Sequence, residues 1–190
     1  MKLVFASANS GKIAEIQQML PPHIRLLGLP DIGCHEEIPE TAGTMEGNAI
    51  LKADYVTRKY GYDCFADDTG LEVAALGGKP GVLSARYAGE QKSPSDNIDM
   101  LLRNLEGCDD RRAHFKTVIA LNLCGNQFLF EGICTGEITT ERHGNGGFGY
   151  DPVFRPHGYD STFAQLSAQE KNRIGHRGVA FRKLLAFLEK

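Results

Sequence analysis

Apolar positions in the first half of the chain follow two rhythms. Leu3, Val4, Phe5 and Ala6 form a continuous run short enough for a buried strand, whereas Ile13, Ile16 and Leu20 recur at the spacing of one helix face. Asn9 or Ser10 caps that predicted helix, and Pro21-Pro22 stops it, because proline lacks an N–H and clashes with the preceding turn. Residues 24–29 read as a second short strand. After a loop rich in Gly, Pro and Glu, Thr44 caps a helix carrying Ala49, Ile50, Ala53 and Val56, with Gly61 as its C-terminal stop. A strand over 63–66 follows and is expected to end on Asp67-Asp68-Thr69-Gly70.

The second half has a different rhythm. Gly77-Gly78-Lys79-Pro80-Gly81 reads as a loop, and Ser93-Pro94 starts a helix with proline in its first turn. Ala113, Phe115, Thr117, Ile119, Leu121 and Leu123 alternate with more polar neighbours, the period of a half-buried strand. Gly125-Asn126 suits a tight hairpin turn into a strand over 127–133. Glycines 144, 146, 147 and 149 crowd a flexible loop. Ser167-Ala168-Gln169-Glu170 reads as a capping box, ahead of a final amphipathic helix with Phe181, Leu184, Leu185 and Leu188. The expected fold is α/β: a mixed, curved central sheet with flanking helices, in one domain over 1–190.

Composition narrows the function classes. A chain of 190 residues with 42% hydrophobic and 24% charged side chains buries a self-sufficient core. A net charge of −3 gives no general reason to bind nucleic acid or an anionic membrane. The basic residues between Lys171 and Lys183 read by default as a solvated helix face. Five separated cysteines without a C-x-x-C pair suggest reduced thiols, and no run approaches the roughly 20 apolar residues of a membrane span. The expectation is a soluble, cytoplasmic protein.

Four segments carry candidate chemistry. Ser7-Ala8-Asn9-Ser10-Gly11-Lys12 lies at a strand-to-helix junction, where free N–H groups and the helix dipole favour a phosphate and Lys12 adds a full charge. It is not a P-loop: Ala6 stands where the first glycine belongs, and Ile13 replaces the magnesium-binding hydroxyl. Asp67-Asp68-Thr69 sets adjacent acids at a strand end, an arrangement that invites a hard cation, with Glu40 or Glu46 available from the preceding loop. In Gly146-Gly147-Phe148-Gly149-Tyr150-Asp151-Pro152, glycines allow close backbone approach, and Phe148 or Tyr150 offers a face for a flat base. Lys171, His176 and Arg177 bring donors suited to carbonyl or phosphate oxygens.

Taken together, these segments resemble the inosine triphosphate pyrophosphatase family, also described as dITP/XTP pyrophosphatases. The resemblance runs from Ser7 to about Leu185. Its strongest runs are Asn48-Ala49-Ile50-Leu51-Lys52-Ala53, Ala66-Asp67-Asp68-Thr69-Gly70-Leu71, Gly81-Val82-Leu83-Ser84-Ala85-Arg86-Tyr87, Gly147-Phe148-Gly149-Tyr150-Asp151-Pro152 and His176-Arg177-Gly178. Where the family usually has Thr-Gly-Asn this chain has Ser7-Ala8-Asn9, and it has Thr69 where a serine is usual; both changes keep the hydroxyl.

The resemblance implies a homodimer of two-lobed subunits with the substrate in a cleft between the lobes. It also implies hydrolysis of ITP, dITP or XTP to the monophosphate and pyrophosphate. Ser7 to Lys12 and Lys52 would hold the phosphates; Asp68 and Glu40 would hold Mg²⁺, for which Mn²⁺ could substitute. Asp68 would also accept the proton of the attacking water. Thr69, Phe148, Gly149, Tyr150, Asp151, Lys171, His176 and Arg177 carry over as substrate contacts. A donor such as Arg177 favours bases with a six-position carbonyl over adenine. The rival classes are a Maf-type pyrophosphatase for modified pyrimidine nucleotides, a non-catalytic nucleotide-binding protein and a nucleic-acid-binding module. The 148–151 and 176–177 runs oppose the first, Asp68 with Glu40 the second, and the acidic net charge the third.

Overall fold

The computed structural model describes residues 1–189. Two compact units alternate along the chain: residues 1–68, 117–132 and 178 onward form the first, and residues 69–116 and 133–177 the second. Seven strands form one mixed sheet: β1 (Lys2–Phe5), β2 (Arg25–Leu27), β3 (Cys64–Val73), β4 (Pro80–Gly81), β5 (Arg112–Leu123), β6 (Asn126–Ile138) and β7 (Phe154–Pro156). The strand order is β2-β1-β3-β5-β6-β7, with β4 on β3. β1 pairs parallel with β2 and β3, whereas β3–β4 and β6–β7 are antiparallel. The principal helices are α1 (Ser10–Met19), α2 (Met45–Tyr60), α3 (Pro94–Asn104), α4 (Ala168–Ile174) and α5 (His176–Leu188). The expected mixed α/β class is correct.

In the first unit, the continuous apolar run of β1 has a simple cause: both faces of the strand are covered. Val4 and Ala6 join Cys64 and Ala66 against the small residues Ala49 and Ala53 of α2. Leu3 and Phe5 point the other way, with Phe65, toward Ile16 of α1 and Phe181 and Leu184 of α5. The Phe5 and Phe65 rings stack with centroids 4.6 Å apart. In the second unit, Leu71, Val73, Phe115, Phe154 and Phe163 form a core with Ile98, Leu101 and Leu105 from α3 and its C-terminal end.

Several caps fall where the pattern places them. Asn9 caps α1 by accepting from the Lys12 N–H, Thr44 caps α2, Ser93 caps α3, and Gly61 closes α2 in the left-handed conformation. Four local readings need correction. β3 does not end before Asp67 but continues through Asp67-Asp68-Thr69-Gly70 to Val73. The hairpin turn is Cys124-Gly125, one residue earlier than Gly125-Asn126: both residues have positive φ, as a type I′ turn requires, and Asp63 accepts from the Cys124 N–H. β6 extends from 126 to 138, beyond the expected strand. Ser167 makes only half of a capping box, because the Glu170 carboxylate bonds to Arg173 and Tyr159 instead; the reciprocal box is formed by Thr162 and Gln165.

Candidate active site

The first unit assembles one group of charged side chains. The N-terminal turn of α1 leaves its leading N–H groups without helical partners, and Asn9 holds that turn while its own N–H donates to Ser7 Oγ at 3.2 Å. Lys12 extends from this turn to Asp67, Nζ to Oδ1 3.0 Å. Successive side chains of a strand face opposite sides, and the neighbouring acids of β3 accordingly keep different partners. Asp68 accepts from Asn48 Nδ2 at 3.2 Å and lies 3.9 Å from Lys52 Nζ. Asn48 and Lys52 stand four residues apart on α2, hence on one face. Lys52 hydrogen-bonds Glu40, and the Asn48 side-chain Oδ1 accepts from the Ala42 N–H at 2.9 Å, which ties the loop carrying Glu40 to the helix.

Burial sets the electrostatics of this group. Asp68 is 7% exposed, and burial, opposed by Lys52 and Lys12, holds its carboxyl above the ordinary aspartate value. Glu40 shifts downward: burial works against the charge, but the Lys52 ammonium and its hydrogen bond outweigh it. Lys52 shifts upward, because Asp68, Asp67 and Glu40 overcome the cost of its own burial. Lys52 gives its hydrogen bond to Glu40 and stands off from Asp68, which explains why the two acids shift in opposite directions. Glu46 is exposed in the first turn of α2.

The second unit assembles a different group. Arg177, in the first turn of α5, donates from Nη2 to Thr69 Oγ1 at 3.0 Å and is 2% exposed. Its guanidinium carbon lies 5.6 Å from the Phe148 ring centroid, and Lys171 Nζ lies 4.5 Å from the same centroid. Lys171 also donates to Asp151 Oδ2, which accepts the Phe148 N–H at 2.8 Å. At Gly147, with φ of 69°, an added Cβ would sit 2.0 Å from that same Asp151 oxygen, so the loop requires glycine there. His176 stacks on Phe115 with centroids 4.5 Å apart.

The expected site residues therefore fall into two sets. Lys12, Lys52, Glu40 and Asp68, with the turn from Ser7 to Gly11, belong to the first unit. Thr69, Phe148, Gly149, Tyr150, Asp151, Lys171, His176 and Arg177 belong to the second. Lys171, His176 and Arg177 are buried, which corrects the reading of this basic stretch as a solvated face; that reading holds for Arg173, Arg182 and Lys183, which are exposed. Tyr150 is 5% exposed within the second unit's core, and its hydroxyl donates to the Ser84 carbonyl at 2.7 Å. The half-buried Phe148 is thus the better placed of the two rings for stacking on a ligand. Sequence reasoning assigned no role to Asn48, although its spacing of four from Lys52 carries the signal.

Chemically, the first set offers oxygen donors and ammonium groups, and the second offers cations arrayed over an aromatic face. Known proteins resemble the chain over its full length. The dITP/XTP pyrophosphatase of Flavobacterium johnsoniae is 64% identical over 188 residues, covering 99% of this chain and 98% of that protein. That of Flavobacterium psychrophilum is 62% identical over the full length of both. The solved Staphylococcus aureus Ham1 protein superposes with a TM-score of 0.90 at 42% identity, covering 100% of this chain and 98% of that one. The Ham1 family model matches residues 3–187, which include every residue of both sets, and the chain belongs to the Ham1 family.

Proposed function

We propose that this enzyme hydrolyses deaminated purine nucleoside triphosphates, ITP, dITP and XTP, to the monophosphate and pyrophosphate, and so cleanses the nucleotide pool. The observation that carries the chemistry is the meeting of Lys52, Asn48 and Glu40 around a buried Asp68 whose carboxyl titrates above its ordinary range. A raised pKa brings a carboxylate nearer to the acidity needed to take a proton from water at neutral pH. In this reading Asp68 accepts the proton of the water that attacks the α-phosphorus, and pyrophosphate leaves. Lys12, Lys52 and the N–H groups of the α1 turn bind the phosphates.

The acid group fits Mg²⁺. Glu40 and Asp68 both contact Lys52 and so approach one point, and the donors are oxygens without Cys or His. Among the described residues no three acidic, His or Cys side chains form a metal cage. That suits an ion which takes one or two carboxylates and completes its shell with water and substrate phosphate. Bound there, Mg²⁺ would neutralise phosphate charge; Mn²⁺ would serve similarly.

Base choice falls to the second set, with Phe148 stacking on the purine and Arg177 donating to the six-position oxygen. Homodimerisation and a cytoplasmic location belong to the same reading. Five free thiols suit a reducing compartment, and no described helix is long and apolar enough to cross a membrane.

The deciding experiment is a pyrophosphate-release assay across ITP, XTP, dITP, ATP, GTP and dTTP. ITP is expected to give IMP and pyrophosphate in one step; IDP and orthophosphate as primary products would sink the assignment. EDTA is expected to abolish turnover and Mg²⁺ to restore it, and full turnover in chelator would remove the metal from the scheme. Sedimentation of a monomer would reject the dimer.

A further inference from the structure

The run Gly81-Val82-Leu83-Ser84-Ala85-Arg86-Tyr87 has no part in the chemistry above, yet it is tied down from several sides. Ser84 is 7% exposed, and its hydroxyl makes two bonds: it accepts from the Leu71 N–H at 2.8 Å and donates to the Gly81 carbonyl at 2.6 Å. The Ser84 carbonyl receives the Tyr150 hydroxyl. Asn97, 3% exposed on α3, clamps the end of the segment by accepting from the Ala88 N–H at 2.7 Å and donating to the Ala85 carbonyl at 3.0 Å. One residue thus joins two pieces of backbone. On one side is β3, where Leu71 follows Thr69 by two residues and so faces the same way. On the other is the 148–151 loop, where Tyr150 sits between Phe148 and Asp151.

We propose that Ser84 and the Tyr150 hydroxyl are positioning residues for base reading, holding the Phe148–Asp151 loop in register with the Thr69–Arg177 pair. This rests on the assignment of Phe148 and Arg177 to the purine. The physical reason is that both bonds are buried, where an unmet donor or acceptor is costly, so the hydroxyl pair admits few alternative arrangements. Phe148 and Arg177 are recruited from segments far apart in sequence, and a displacement of about 1 Å in such an array lowers rates by up to about a hundredfold.

Tyr150→Phe keeps the ring in the core and deletes only the donor. The expected kinetic result is a fall in kcat/KM for ITP of about tenfold against a smaller fall for ATP, carried mainly by KM. Hydrogen exchange provides the readout that does not involve substrate. In Tyr150→Phe, amides of 147–153 and of 69–73 are expected to exchange faster together, while α2 and β1 keep wild-type protection. Ser84→Ala keeps the carbonyl that accepts from Tyr150 but leaves the Leu71 N–H and the Gly81 carbonyl unmet, so faster exchange is expected first at 69–73 and, through the loosened segment, at 147–153. Unchanged exchange at 69–73 in Tyr150→Phe would overturn the proposal, as would a proportional loss toward ITP and ATP. Wild-type enzyme that fails to prefer ITP over ATP would defeat the underlying base assignment; the exchange data would still decide whether Ser84 couples the two segments.

Discussion

Glu40, Asp67 and Asp68 share the ammonium groups of Lys12 and Lys52 in the first unit, whereas in the second Lys171 faces Asp151 and Arg177 donates to the neutral hydroxyl of Thr69. Acid outnumbers base among the first named groups, and base outnumbers acid among the second. The two sets also differ in what surrounds the charge. The acids pack beside α2 and the α1 turn, with polar partners on each, while the cations lie over the Phe148 and Phe163 rings. On the proposed reading, the first set takes the metal and the phosphates, and the second takes the flat base. On that reading the contrast separates reaction from recognition, and substitutions in the two sets are expected to fail differently.

The largest effect is expected in the acid set. Asp68→Asn keeps the shape and removes the charge, and loss of a general base alone is worth about 10²–10⁴ in rate. The variant is expected to melt near the wild type while losing at least that much ITP turnover. A nearly active Asp68→Asn beside a dead Asp67→Asn would exchange the roles of the two acids.

Next is the buried pair of the second set. Lys171→Met removes the ammonium from Asp151, which is 3% exposed and keeps the Phe148 N–H. Breaking a buried pair from one side costs about 3–5 kcal/mol. At about 2–4 °C per kcal/mol for a chain of this size, Tm is expected to fall by about 6–20 °C. A shift within about 2 °C would mean the pair has no structural weight.

Arg177→Ala tests recognition itself. A charge-assisted hydrogen bond is worth about 1.5–3 kcal/mol, so kcat/KM for ITP is expected to fall about tenfold to a hundredfold more than for ATP. ATP and ITP share a triphosphate, so Lys12 and Lys52 cannot produce that difference. An unchanged ratio would reduce Arg177 to a brace for α5.

The smallest effect is expected at the half-buried Glu170, which lies outside both sets and is held down to about 2 by Arg173 and Tyr159. A carboxylate depressed in the folded state stabilises above its unfolded value near 4.5 and loses that contribution as pH falls toward 2. Glu170→Gln is therefore expected to lower Tm slightly at pH 7, with the difference vanishing near pH 2. A difference that grew on acidification would have the wrong sign.

The legibility of the two sets in the sequence was unequal for physical reasons. Strand and helix periodicity located β1, α1, α2 and β5, because their burial is repeated at fixed spacing. Asp and Gly are poor strand formers, so the continuation of β3 through Asp67-Asp68-Thr69-Gly70 was hidden: Lys12 and Asn48, distant in sequence, make those acids tolerable there. The basic stretch near the C-terminus misled for a related reason. Lys171 and Arg177 look like surface residues until Asp151, Thr69 and Phe148 are known to surround them. Ser84 stood in a family-like run without a role, since the partners of its hydroxyl are backbone atoms that any sequence supplies.

Asn48 has one further consequence. During turnover Asp68 would alternate between carboxylate and carboxylic acid, and the contacts of an ionisable neighbour would swing with each cycle. An amide has no proton to exchange near neutrality: its oxygen holds the Ala42 N–H whatever Asp68 is doing, and its NH₂ finds an acceptor in either form of the acid. On the proposed reading, Asn48 would thus keep its hold on the Ala42 N–H through the proton cycle, leaving the shared Lys52 as the contact through which Glu40 would feel it.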